Sequence, residues 1–164
     1  IMIGQEQVYT RLKELNIDFH YLEHPPAHSI EIGRPYWEHL PGIHCKNLFF
    51  RNHKGNRHYL VVFHCEQNLA IRDLELRLRQ GKLTFASEKR MSKYLGLQPG
   101  SVSPFGLIND LEHHVYVFLD KNLLNFEFLS FHPNDNRASL TISSRDFVRY
   151  MESSGNGFEW LELY

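Results

Sequence analysis

Apolar positions Val8, Leu12 and Leu15 recur at spacings of four and three with charge between them, which predicts an amphipathic helix over Gln5 to Leu15, ending at Asn16. Ile17 to Leu22 alternates as a short strand, and Pro25 and Pro26 then block helix and ladder alike. Ser29 to His39 is ambiguous, because Gly33 and Pro35 interrupt it. Cys45 to Arg51 and His58 to His64 are apolar, aromatic-rich runs separated by the turn composition Asn52-His53-Lys54-Gly55-Asn56, and they predict a β-hairpin. Val61, Val62 and Phe63 in succession imply burial on both faces, hence a central strand.

Asn68 to Gln80 mixes helical spacing at Ile71, Leu74 and Leu78 with alternation at Leu74, Leu76 and Leu78. A helix stopped by Gly81 is favoured, since Asp73, Glu75, Arg77 and Arg79 suit a charged outer face. Lys82 to Phe85 reads as a short strand, and Ser87 caps a helix that runs to Leu95 and stops at Gly96. Val115 to Leu119, Phe126 to Phe131 and Ala138 to Ile142 are further strands, with Asp120-Lys121-Asn122 beginning the connection between the first two. Ser143 or Ser144 caps a last helix with Phe147, Val148 and Met151 on one face. The expected fold is α+β: a mixed, largely antiparallel sheet with flanking helices, forming one domain over residues 1–164.

Pro99 to Asp110 fits none of these patterns, being too apolar for a solvated linker and too punctuated for a helix or strand. Pro99 and Pro104 fix φ, Gly100 and Gly106 permit positive φ, and Ser101 and Ser103 can bond nearby backbone. Such a shaped loop can either turn bare N–H groups toward a ligand or simply connect two buried elements.

Composition narrows the classes. Hydrophobic residues at 42%, charged residues at 23% and a net charge of -1 are ordinary globular values, so any nucleic-acid binding has to use a local patch. Cys45 and Cys65 lack a C-x-x-C spacing and suggest reduced core thiols. No apolar run is long enough to span a bilayer and no signal-peptide pattern opens the chain, so a cytoplasmic protein without membrane contact is expected.

Eleven histidines invite a metal reading, and His20, His24 and His28 stand four apart. Pro25 and Pro26 prevent a continuous helix there, and no H-E-x-x-H or clustered Cys/His signature occurs, so neither metal nor cofactor is expected. Ser101 and Ser103 have no identifiable base to activate them as nucleophiles. Lys46-Asn47 starts an apolar strand and His132-Pro133 ends another. Singly, each has a plain structural explanation, but strand ends and a loop of one sheet can converge on one mouth.

Four motifs in order carry a resemblance: His24-Pro25-Pro26-Ala27-His28-Ser29; Cys45-Lys46-Asn47-Leu48-Phe49 before Lys54-Gly55; Gly100 through Asp110; and Phe131-His132-Pro133-Asn134-Asp135-Asn136. Over nearly the whole chain they resemble the YbaK/prolyl-tRNA editing family, most of all its free-standing ProX/PrdX-type members. The resemblance implies an enzyme hydrolysing the ester of mischarged tRNA(Pro), above all alanyl-tRNA(Pro). The alternatives are cysteinyl-tRNA(Pro), a non-catalytic module binding tRNA or a synthetase, or a small-molecule or peptide binder that reuses the pocket.

Residue by residue, it implies that Lys46, assisted by Asn47, orients the ester, and that backbone in the loop at Gly100 and Ser101 stabilises the developing oxyanion. Val102, Ser103, Pro104 and His132 would grip the substrate, with His132 linked to amino-acid selection or, alternatively, acting as a base. Ile30, Leu48 and His132 are candidates for a wall that excludes proline. Arg51, Lys54, Lys89 and Arg90 are the expected tRNA contacts, with His53, Arg57 and Lys93 near them. The resemblance also implies a monomer that contacts prolyl-tRNA synthetase or an elongation factor transiently.

Overall fold

A computed structural model describes residues 1–164. The helices are α1 (Glu6–Glu14), α2 (Ile30–Trp37), α3 (Ile71–Leu78), α4 (Glu88–Leu95) and α5 (Ser144–Ser153). The strands are β1 (His20–Glu23), β2 (Ile43–Arg51), β3 (His58–His64), β4 (Thr84–Phe85), β5 (Tyr116–Asp120), β6 (Phe128–Phe131), β7 (Ala138–Ser143) and β8 (Phe158–Leu161), with 3₁₀ turns at Pro104–Asn109 and Lys121–Asn125. They form one mixed sheet in the order β1-β7-β6-β2-β3-β5-β8, with β4 attached to β2. Pairings β1·β7, β2·β3, β2·β4 and β6·β7 are antiparallel, whereas β2·β6, β3·β5 and β5·β8 are parallel. No helix is long and apolar enough to cross a membrane.

The hairpin forms as its turn chemistry predicts: Asn52 Oδ1 accepts from the N–H groups of Asn56 and Arg57, and Gly55 takes φ +72. β3 lies between β2 and β5 with almost every residue buried, which is why its apolar run does not alternate. Leu60 and Val62 enter a core with α1, α5 and the 3₁₀ turn at Pro104, while Tyr59, Val61 and Phe63 enter a second core under Leu74 and Leu78 of α3. Helices thus cover both faces.

Several local expectations shift. Ile17 folds back onto the end of α1, its N–H bonded to Leu12 O at 2.9 Å and its side chain buried, after Asn16 turns the chain at φ 55; β1 therefore begins only at His20. Ser29 to His39 resolves into α2, capped by Ser29 Oγ on the Ile32 N–H and carrying Pro35 within it. α3 is closed by Arg79 in the left-handed conformation rather than by Gly81. Phe128, not Phe126, opens β6. On α5 the buried residues are Phe147, Tyr150 and Met151, with Val148 only half-buried, and β8 follows where no strand is expected from the pattern.

Candidate functional site

β2 carries the site because its two edges are treated differently. One edge pairs with β3 continuously from Cys45 to Arg51. On the other, β6 pairs only at Ile43 and His44, and β4 only at Phe50 and Arg51. Between those contacts the sheet splits, and a cleft of about 290 Å³ opens along residues 44 to 49. Ala27 to Ile30 and Trp37 form one wall, Phe85, Ala86 and Met91 another, and Pro99, Gly100, Val102 and His132 complete it.

Lys46 is the one charged side chain on the lining, and no carboxylate reaches it. Its Nζ donates to Gln67 O at 3.1 Å and stands 5.9 Å from the Phe63 ring centroid, so the ammonium is held in place with donors to spare. On the opposite face of the strand, Asn47 Nδ2 donates to Cys45 O at 3.3 Å, and the buried Oδ1 has no partner. An unpaired buried acceptor is costly unless something else satisfies it.

The end of the cleft nearest β6 is aromatic. The Trp37 ring lies flat on His44, centroids 3.9 Å apart and planes 9° apart, and His132 stands 5.0 Å from His44 and 5.8 Å from His24. Gly33 makes room for this: a Cβ there would fall 1.7 Å from Trp37 Cη2. His132 Nδ1 bonds Ala138 O at 2.7 Å, and because a carbonyl only accepts, the proton sits on Nδ1 and leaves Nε2 as an acceptor. Burial drives the His132 pKa down to about 4 despite that bond, with His24 adding to the effect, so the ring is neutral near pH 7. Burial, with His132 and His24 nearby, also holds His44 well below the ordinary histidine range, and its Nδ1 has no partner. His24 and His28 bond Ser139 and Asn136 respectively, and no group of three or more His, Cys, Asp or Glu side chains is arranged to hold a metal ion.

The loop from Pro99 to Asp110 divides into two halves with different jobs. Gly100, at φ +83, and Val102 line the cleft, and their N–H groups have no partner in the chain, whereas the Ser101 N–H is used by Gln98 O at 3.1 Å. From Ser103 onward the loop is anchorage. Ser103 Oγ caps the 3₁₀ turn through the Phe105 N–H, Tyr150 OH donates to Pro104 O at 2.8 Å, and Asn134 Nδ2 donates to Phe105 O. Buried Asp110 Oδ2 accepts from the Val115 N–H and Asn156 Nδ2, each at 2.8 Å.

The structure therefore brings Ile30, Lys46, Asn47, Leu48, Gly100, Val102 and His132 together, and leaves Ser101, Ser103 and Pro104 behind the lining. Pattern reading missed Trp37 and His44; only the stacking of α2 on the sheet identifies them. Among the expected tRNA contacts, Lys54 and Lys89 are exposed. Arg51 is turned to the carbonyls of Asn52 and His53, and Arg90 ties α4 to the hairpin through Gly55 O at 2.8 Å and His58 Nε2 at 3.0 Å.

A family model described as an aminoacyl-tRNA editing domain matches residues 24–150. The prolyl-tRNA editing protein ProX of Acetoanaerobium sticklandii is 40% identical over 163 residues, covering 99% of each chain. A prolyl-tRNA synthetase associated domain-containing protein of Danio rerio is 33% identical over 145 residues, 87% of this chain and 78% of that protein. Among solved structures, a candidate trans-editing enzyme for prolyl tRNA synthetase has the same fold at TM-score 0.68 and 18% identity, covering 97% of this chain and 99% of its own. A hypothetical protein likewise superimposes at TM-score 0.73 and 19% identity, covering 93% and 97%.

Proposed function

The chain belongs to the aminoacyl-tRNA editing domain family, and from that membership we propose that it is a trans-acting deacylase that hydrolyses mischarged tRNA(Pro), with alanyl-tRNA(Pro) its preferred substrate. The observation that carries the reading is the split in the sheet, where Lys46 and Asn47 on β2 stand in one cleft with the Gly100 backbone and His132 and with no carboxylate.

An aminoacyl ester is already activated, so positioning and charge stabilisation supply the catalysis. Lys46 orients the ester end of the substrate. The N–H groups of Gly100 and Val102 take the negative charge that develops on the carbonyl oxygen as water adds to the carbonyl carbon. The carbon–oxygen bond to the ribose then breaks, and the leaving oxygen receives the proton released by the attacking water, relayed by the neighbouring ribose hydroxyl. Asn47 Oδ1 and His132 Nε2 are acceptors suited to the amino group of the substrate. His132, with a pKa of about 4, is too weak a base to lead the reaction, which favours selection over proton transfer for this residue.

Proline is larger than alanine and is spared by exclusion. Trp37, stacked on His44 and backed by Gly33, is the rigid part of that wall, with Ile30 on the same helix beside it. Lys54 and Lys89 are the cations best placed to meet tRNA phosphates. Purified protein is expected to release alanine from alanyl-tRNA(Pro), and Lys46→Ala to lose roughly 100-fold or more of that rate. Wild-type protein that leaves every mischarged tRNA(Pro) intact would overturn the proposal.

A further inference from the structure

Phe85 is the one large apolar side chain of the cleft that is more than half exposed, at 53%. It lies on the two-residue strand β4, opposite Phe50 in register, and one face of its ring stacks on Phe50 with centroids 4.7 Å apart and planes 27° apart. The other face is left to the cleft mouth. Side chains of β2 alternate, so Lys46, Leu48 and Phe50 share a face, and Lys46 and Phe50 are about 13 Å apart along the strand. Phe85 thus stands between the lysine at the reacting end and exposed Lys54 and Lys89 farther along, in the hairpin turn and on α4.

We propose that Phe85 is a stacking platform for the terminal base of the tRNA 3′ end. The inference rests on the deacylase reading above and adds the group that holds the nucleoside while Lys46 holds the ester. Unpaired bases are gripped by aromatic faces, which every base can use, and a ring already braced on one side by Phe50 loses little freedom on accepting a base on the other. The spacing fits: an ester beside Lys46 leaves its own ribose and base to extend along the strand toward β4. Cations beyond the ring then meet the phosphates of the preceding nucleotides.

The test uses the full-length protein and an acceptor-stem RNA carrying 2-aminopurine at its terminal position, whose fluorescence is quenched by stacking. Wild-type protein should quench it, Phe85→Trp should preserve the quench, and Phe85→Leu should abolish it while retaining the apolar contact with Phe50. With alanyl-tRNA(Pro), Phe85→Leu should raise KM about 5- to 150-fold at nearly unchanged kcat. Equal melting temperatures for the three proteins establish that folding is not the cause. Quench and KM unchanged in Phe85→Leu, or a loss confined to kcat, would overturn the proposal. Deacylation by wild-type protein with no quench refutes the platform alone. Quench without deacylation refutes the deacylase reading and leaves base stacking in place.

Discussion

Replacing Gly100 with alanine separates the backbone of the loop from its side chains. At φ +83 this residue is left-handed, and a Cβ there would lie 3.3 Å from Asn136 Nδ2 and 3.5 Å from His28, contacts that a small adjustment relieves. Space is therefore not the obstacle; conformation is, at roughly 1–2 kcal/mol for an L side chain held in this region. If the loop keeps its shape, the melting temperature falls by about 2–8 °C, taking 2–4 °C per kcal/mol for a domain of this size. If the loop relaxes instead, stability is spared, the Gly100 N–H turns away from the cleft, and the rate of alanine release falls by about 100-fold or more, the cost of losing an oxyanion donor. Asparagine tolerates the left-handed region, so Gly100→Asn should recover much of whichever property Gly100→Ala loses. Initial rates on alanyl-tRNA(Pro) and thermal melts on the same preparations read both quantities. Gly100→Ala with wild-type rate and wild-type melting temperature, or Gly100→Asn no better than Gly100→Ala, would show that the left-handed turn has no role.

Trp37→Leu removes the flat wall over His44 and should raise hydrolysis of prolyl-tRNA(Pro) relative to alanyl-tRNA(Pro) by about 10- to 200-fold, the range open to volume discrimination; unchanged relative rates place the wall elsewhere. Asp110→Ala strips the acceptor from the Val115 N–H and Asn156, and denaturant titration should find a loss of roughly 2–4 kcal/mol; a loss under 1 kcal/mol would mean that the anchored half of the loop is held by its other bonds. His132 titrates near 6.5 in the unfolded chain and at about 4 in the folded one, so the unfolded state binds the extra proton first as pH falls. Stability is then full above pH 6.5 and is lost between 6.5 and 4, by up to about 3 kcal/mol from this residue. Melts across that range should be flatter for His132→Asn, and an identical slope would show that the ring is not buried neutral.

How far the sequence speaks depends on whether a feature is local. The hairpin was legible because Asn52 and Gly55 specify a turn within one short segment, and α4 because Ser87 and Gly96 mark its ends. The loop at Gly100 could be seen as shaped, and its order with Lys46 and His132 pointed to one site. What stayed hidden is long-range. Nothing local states that β2 pairs in parallel with β6 at only two residues, yet that short register opens the cleft. Ser103 reads from its motif as part of the grip but is turned inward as a cap, held there by the Phe105 N–H and by burial. Trp37 shows only once α2 packs on the sheet, with Gly33 one turn earlier making room for its ring, because Pro35 breaks the sequence pattern of a segment that nevertheless folds as a helix.

The most direct measurement compares deacylation of alanyl-, cysteinyl-, seryl- and prolyl-tRNA(Pro) by the wild-type protein under single-turnover conditions. Alanyl-tRNA(Pro) should be cleared fastest and prolyl-tRNA(Pro) left intact. Prolyl-tRNA(Pro) hydrolysed as fast as the alanyl ester, or the cysteinyl ester preferred to it, would contradict a small cleft that selects alanine by excluding what is larger.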